Sequence, residues 1–276
     1  MKRLLFLAVA TFCIVSCNTM EEFEDSTIFE GITPPDTLHA SFDQSESDTR
    51  TYIEQDKYLR WTKGDEISFF PVTYNLQYRF DGETGDNNGS FTKITNKLVT
   101  GNALNNNYAV YPYKESTSMS DEGIISFELP AEQSYAPNSF GVGANTMVAI
   151  TRDSDDNILR FKNVCGFLKL QLYGTDVTVT SIELKGNNNE KIAGVSTITA
   201  IYGDTPTIEL SETATTSIKL NCSDGATLNS DAKNPTDFWF VIPETTFEKG
   251  FTVTVTDTQG ATFIKSKSKP LSIERN

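Results

Sequence analysis

The feature that most constrains this chain is the spacing of its apolar residues, which recur at alternate positions in short runs and nowhere hold a helical period. Ile125, Phe127 and Leu129 alternate until Pro130 stops them, and Phe251, Val253 and Val255 alternate with Thr252, Thr254 and Thr256. Successive side chains of a strand point to opposite faces, so such runs make strands with one buried face. Further strands are expected at residues 38–42, 66–70, 76–80, 90–94, 146–151, 181–185, 207–210, 217–222 and 261–265, with a hairpin joining 51–53 to 58–61. An aromatic strand at 108–113 is expected to stop at Pro112 or to lie at a sheet edge. Residues 237–242 are apolar on both faces and read as a central strand. The stretch 159–173 puts Leu168, Leu170 and Leu172 on one face and Lys169 and Gln171 on the other, with a bend expected between Asn163 and Gly166. It reads as the strand that closes one sandwich and opens the next. The fold class is therefore all-β, as two tandem β-sandwiches over 38–157 and 158–276, and 276 residues suffice for two such domains.

The N-terminus carries an address. Met1-Lys-Arg precedes an apolar run over 4–15, too short to span a bilayer, which takes about 20 residues, but suited to a signal peptide. Ile14-Val-Ser-Cys17 looks like a lipobox: the small Ser16 admits the signal peptidase, and the Cys17 thiol takes a diacylglycerol. Each buried methylene contributes about 0.8 kcal/mol, so several acyl chains anchor firmly. Residues 1–16 are thus expected as signal peptide and 17–37 as a lipidated, flexible tether ending in Thr33-Pro-Pro-Asp36. The anchor matters because 37 acidic against 23 basic residues give a net charge of -14, which repels anionic membranes and nucleic acid alike.

The chemistry is sparse. His39 is the single histidine and reads as surface, which leaves no obvious general base or zinc ligand set. Gly141-Val-Gly-Ala-Asn-Thr146 lacks the third glycine and the βαβ setting of a dinucleotide loop. Asp153-Ser-Asp-Asp-Asn157 begins like a calcium loop, but Ile158 stands where glycine is required and Val164 where the bidentate glutamate belongs, so a hairpin turn is expected. No cofactor and no enzymatic activity are expected. Cys165 and Cys222 remain besides Cys17 after signal removal; they fit either a disulfide, which an envelope location permits, or two small buried hydrophobes.

Ordered motifs carry a family resemblance over residues 37–276. They are Asp48-Thr-Arg-Thr-Tyr52, Trp61-Thr-Lys-Gly-Asp-Glu-Ile67, Tyr108-Ala-Val-Tyr-Pro-Tyr113, Leu129-Pro-Ala-Glu-Gln-Ser-Tyr135, Phe161-Lys-Asn-Val-Cys-Gly-Phe167, Ser181-Ile-Glu-Leu-Lys-Gly186 and Gly250-Phe-Thr-Val-Thr-Val255. The chain resembles the fimbrillin-like, Mfa-like lipoproteins of the Bacteroidota, and the acidic run Met20-Glu-Glu-Phe-Glu-Asp25 resembles the surface-export signal of that phylum. Asp25-Ser-Thr27 and Asp36-Thr-Leu38 resemble its O-glycan acceptor pattern. The resemblance implies transthyretin-like sandwiches, lipid-anchored in the outer membrane and displayed at the cell surface. In polymerising members an arginine-specific protease removes the first strand, and a neighbouring subunit's strand fills the groove. Arg50, before Thr51, is the matching position. Relatives usually continue past the motif Glu274-Arg-Asn276, so an anchor, tip, accessory or stand-alone role is expected alongside that of a stalk subunit. The alternative is a surface lipoprotein that holds a glycan or a host or bacterial surface protein on loops such as 81–89 or 136–145.

Overall fold

The alternation is realised as strands throughout, with no helix among the described residues. The computed structural model describes residues 32–42, 59–96, 99, 101 and 104–275, which belong to one compact unit. The expected hairpin joining 51–53 to 58–61 lies largely outside the described residues, as do Ser16, Cys17, Arg50 and Thr51.

In chain order the first strands are β1 (Thr37–Phe42), β2 (Glu66–Phe70), β3 (Leu76–Phe80), β4 (Asn88–Lys93) and β5 (Tyr108–Tyr111). Next come β6 (Ser118–Met119), β7 (Ile124–Leu129), β8 (Glu132–Ala136), β9 (Ser139–Phe140), β10 (Met147–Ile150) and β11 (Ile158–Asn163). Seven of these close on themselves in the order β1-β11-β10-β5-β2-β3-β4. The two faces expected of a sandwich are joined because β1 pairs antiparallel with β4 on one side and parallel with β11 on the other. Alternate residues point inward, among them Leu38, Ile67, Phe69, Tyr78, Phe91 and Phe161, all essentially inaccessible to solvent. Trp61 sits at the centre, with ring centroids 4.7 Å from Phe42, 5.1 Å from Phe91, 5.4 Å from Phe161 and 5.6 Å from Tyr111. Each such ring pair adds about 0.5–1.5 kcal/mol beyond area burial, so this one indole ties together strands distant in sequence.

The remaining strands are β12 (Cys165–Leu172), β13 (Thr178–Gly186), β14 (Gly194–Thr199), β15 (Thr207–Leu210) and β16 (Ser217–Thr227). Then follow β17 (Thr236–Pro243), β18 (Thr245–Phe247), β19 (Phe251–Asp257), β20 (Thr262–Lys267) and β21 (Leu271–Ile273). They form a six-stranded sheet, β20-β19-β13-β16-β8-β9, a four-stranded sheet, β15-β14-β7-β6, and the pairs β12-β17 and β18-β21 around a second core. The sheets do not divide at residue 158: β11 closes the barrel, while β7 pairs with β14 and β8 with β16. The stretch 159–173 does pass from one sheet system to the other, β11 lying in the barrel and β12 pairing with β17, with the break at Val164. A Cβ at Gly166 would run into the carbonyl oxygen of Glu274, because the C-terminal segment crosses this junction. The Arg275 guanidinium donates to the Asn163 carbonyl there at 3.1 Å.

The barrel and the second core share a wall. On β2, Phe69 faces the barrel core and Phe70 the second core; on β5, Ala109 and Val110 divide likewise, and on β10, Met147 and Val148. This explains why β2 and β10 are buried at almost every position instead of alternating. It also places β5 between β10 and β2, so Pro112 ends an interior strand and not an edge.

Candidate functional site

Two features of the barrel carry functional potential: the seat of β1 and a cavity that Trp61 helps to line. β1 fills a slot between β4 and β11. Its backbone pairs with β4 from Thr37↔Thr92 to Ser41↔Asn88 and with β11 from His39↔Ile158 to Phe42↔Phe161. Leu38, Ala40 and Phe42 point into the core, while His39 points outward with its Nδ1 3.2 Å from the Ser90 hydroxyl. The segment just before β1, expected as free tether, is fastened to the barrel instead. Lys93 Nζ lies 2.7 Å from the Asp36 carboxylate and donates to the Pro34 carbonyl at 3.2 Å. The Tyr78 hydroxyl donates to the Pro35 carbonyl at 2.6 Å, and Ile32 bridges to Val99. Burial, and secondarily the Asp36 charge, push the Tyr78 phenol above its ordinary range, so it stays a donor.

The cavity, of about 360 Å³, brings together both loops singled out in the sequence. Thr84 comes from 81–89, Val142 and Phe140 from 136–145, and the floor is Trp61, Asp65 and Tyr111. Asp65 closes the turn at Gly64, whose φ of 83° needs glycine, and its carboxylate accepts from the Thr62 N–H at 2.7 Å. The Tyr111 hydroxyl donates to the other carboxylate oxygen at 3.0 Å. Burial raises the Asp65 carboxyl from 3.8 to about 6, against the lowering effect of these two hydrogen bonds. Burial, with help from the neighbouring carboxylate, pushes the Tyr111 phenol well above its usual range. The indole Nε1–H of the fully buried Trp61 has no hydrogen-bond partner. The Asp65–Tyr111 pair was not anticipated from sequence, although both residues stand in the motifs quoted above. The two are 46 positions apart, and the pairing of β2 with β5 brings them together.

The disulfide considered for Cys165 and Cys222 is not made: both are free, buried thiols. Cys165 lies on β12 and Cys222 on β16, strands of different sheets, and each packs into the second core as a small hydrophobe. Burial pushes the thiols up to about 12 and about 11, so neither is a reactive thiolate at neutral pH. The 153–157 segment is a turn between β10 and β11, in which Asp153 accepts from the Asp156 N–H at 3.0 Å and Asp156 from the Ile158 N–H at 3.0 Å. Among the described residues no cluster of histidine, cysteine and carboxylate side chains is arranged to hold a metal.

No protein-family model matches the chain, and no curated protein matches it. Solved structures do resemble it. A Bacteroides ovatus protein described as a "putative cell adhesion protein" is 13% identical over 87% of this chain and 89% of its own, with a TM-score of 0.48. A Bacteroides uniformis protein of the same description is 19% identical over 86% and 89%, with a TM-score of 0.44. The tip fimbrial protein Mfa3 of Porphyromonas gingivalis, with a C-terminal truncation, is 10% identical over 87% and 92%, with a TM-score of 0.31.

Proposed function

We propose that this chain is a structural or accessory subunit of surface fimbriae, lipid-anchored in the outer membrane through Cys17, with β1 as a removable strand whose seat accepts a strand from another subunit. The observation that carries this reading is the seat itself. β1 hydrogen-bonds on both edges, contributes Leu38, Ala40 and Phe42 to the core, and continues into the stretch that holds Arg50 and Thr51. Cutting after Arg50 would separate β1 covalently from every later strand. Loss of β1 would then expose two rows of unpaired backbone groups and an apolar slot. Re-covering a leucine and a phenylalanine contributes about 1.5–3 kcal/mol each, so the vacated seat favours any strand that alternates in the same way. The test is mass spectrometry of the N-terminus of protein taken from the cell surface, with sizing before and after digestion by an arginine-specific protease. A start at Thr51 together with strand-linked oligomers is expected of an assembling subunit. An acylated Cys17 on a chain that stays monomeric after cleavage would overturn strand exchange. A second reading, a stand-alone surface lipoprotein that holds a ligand, is favoured by the cavity at Asp65.

A further inference from the structure

We propose that the cavity floored by Trp61, Asp65 and Tyr111 is a binding site for a neutral sugar unit, with Asp65 and Arg60 as its polar anchors. The proposal rests on the second reading above, gives it a place and a ligand chemistry, and does not depend on strand exchange.

The cavity is unevenly satisfied. Each Asp65 carboxylate oxygen accepts one hydrogen bond, from the Thr62 N–H or the Tyr111 hydroxyl, whereas a carboxylate offers about four acceptor positions. Arg60, in the same lining, has the opposite chemistry, a guanidinium that donates and cannot accept. A ligand suited to this floor must donate to Asp65 and accept from Arg60. An ammonium group donates only, and a carboxylate or phosphate accepts only. A hydroxyl does both. Arg60 repels a free cation and Asp65 a free anion, so a neutral ligand suits the pair.

The walls select for shape. Ala136, Pro137, Phe140 and Val142 supply apolar surface from one loop, and Thr84 supplies a hydroxyl from the other. Apolar surface with a few convergent polar groups is the usual make-up of a small-molecule site. A pyranose ring matches it, with C–H faces for the apolar side and a rim of hydroxyls for the polar floor. About 360 Å³ lies within the usual span of ligand pockets. Val142 is 70% exposed at the rim, so the cavity is reachable from solvent.

The chain's two tryptophans allow a direct readout. In full-length protein carrying Trp239→Phe, held in detergent, the emission comes from Trp61 alone. The protein is titrated with methyl glycosides of glucose, galactose, mannose, fucose and N-acetylglucosamine, and the parent and variants are also applied to a glycan array. A saturable change in Trp61 emission with at least one glycoside is expected. Asp65→Asn should weaken that affinity about tenfold or more, the scale of one lost charge-assisted hydrogen bond. Val142→Phe, on an exposed loop and away from the core, should weaken it comparably by filling the rim without adding an indole. If array glycans bind while Asp65→Asn and Val142→Phe behave as the parent, the ligand lies elsewhere: the cavity proposal falls and the ligand-binding reading stands. If no glycoside changes the emission and no array glycan binds, both fall.

Discussion

At the scale of single residues, Asp65 is the group whose environment departs furthest from the sequence-based expectation. An acidic residue after Lys63-Gly64 looks like a solvated turn, yet the pairing of β2 with β5 leaves it 7% exposed beside Tyr111. Its folded pKa of about 6 lies above the unfolded value of 3.8, so the folded state holds the proton more tightly. The stability this provides is complete below 3.8 and is lost as pH rises through about 6, to the extent of about 3 kcal/mol. Asp65→Asn removes the titration while keeping an oxygen for the Thr62 N–H. Urea unfolding of both proteins between pH 4 and pH 7 should show the parent losing stability relative to the variant across that window. Parallel pH profiles would mean that Asp65 is as well solvated folded as unfolded. The single histidine behaves as its polar neighbours suggest, since His39 occupies an outward position of β1.

At the scale of elements, alternation made the strands legible where only one face is covered. β7 is buried at Ile125, Phe127 and Leu129 and exposed at the residues between, as its sequence implies. β14 was not anticipated because its alternating partners, Ser196 and Ile198, include a buried serine whose hydroxyl donates to the Phe127 carbonyl. β17 has the composition of a central strand but, among the described residues, only β12 as a hydrogen-bonded strand neighbour. Its other edge is met by a side chain: the Gln133 amide donates to the Val241 carbonyl at 2.7 Å and accepts from the Val241 N–H at 3.0 Å, as a peptide unit would. No local pattern reveals a pairing across 108 positions. The junction of β11 and β12 was legible in part. The bend was expected from Asn163 and Gly166, but the reason for glycine is the C-terminal segment lying against it. Gly166→Ala should therefore destabilise the fold by about 1–3 kcal/mol, the typical cost of forcing a methyl group into a filled site, read as a lower urea midpoint with unchanged slope. A variant as stable as the parent would mean that residues 273–275 move aside at no cost.

At the scale of the whole molecule, the decisive feature is the shared wall. Sequence suggested two sandwiches in tandem, each with its own core, because the chain is long enough and a bend falls near its middle. Two hydrophobic cores are present, but β2, β5 and β10 serve both, and β6 to β9 leave the barrel strands to join the sheets of the second core. Adjacent residues such as Phe69 and Phe70 are buried on opposite sides of one strand, so neither core can lose that wall without exposing the other. Two domains joined by a linker would unfold independently, whereas cores with a common wall are coupled by every side chain on it. The fluorescence of Trp61, isolated by Trp239→Phe, reports the barrel core, and far-UV circular dichroism reports all strands. Their urea transitions should coincide in midpoint and slope. A Trp61 transition separated from the circular dichroism transition would show that the barrel opens on its own. β1 could then leave its seat while the second core stays folded, and strand exchange would need no disruption beyond the barrel.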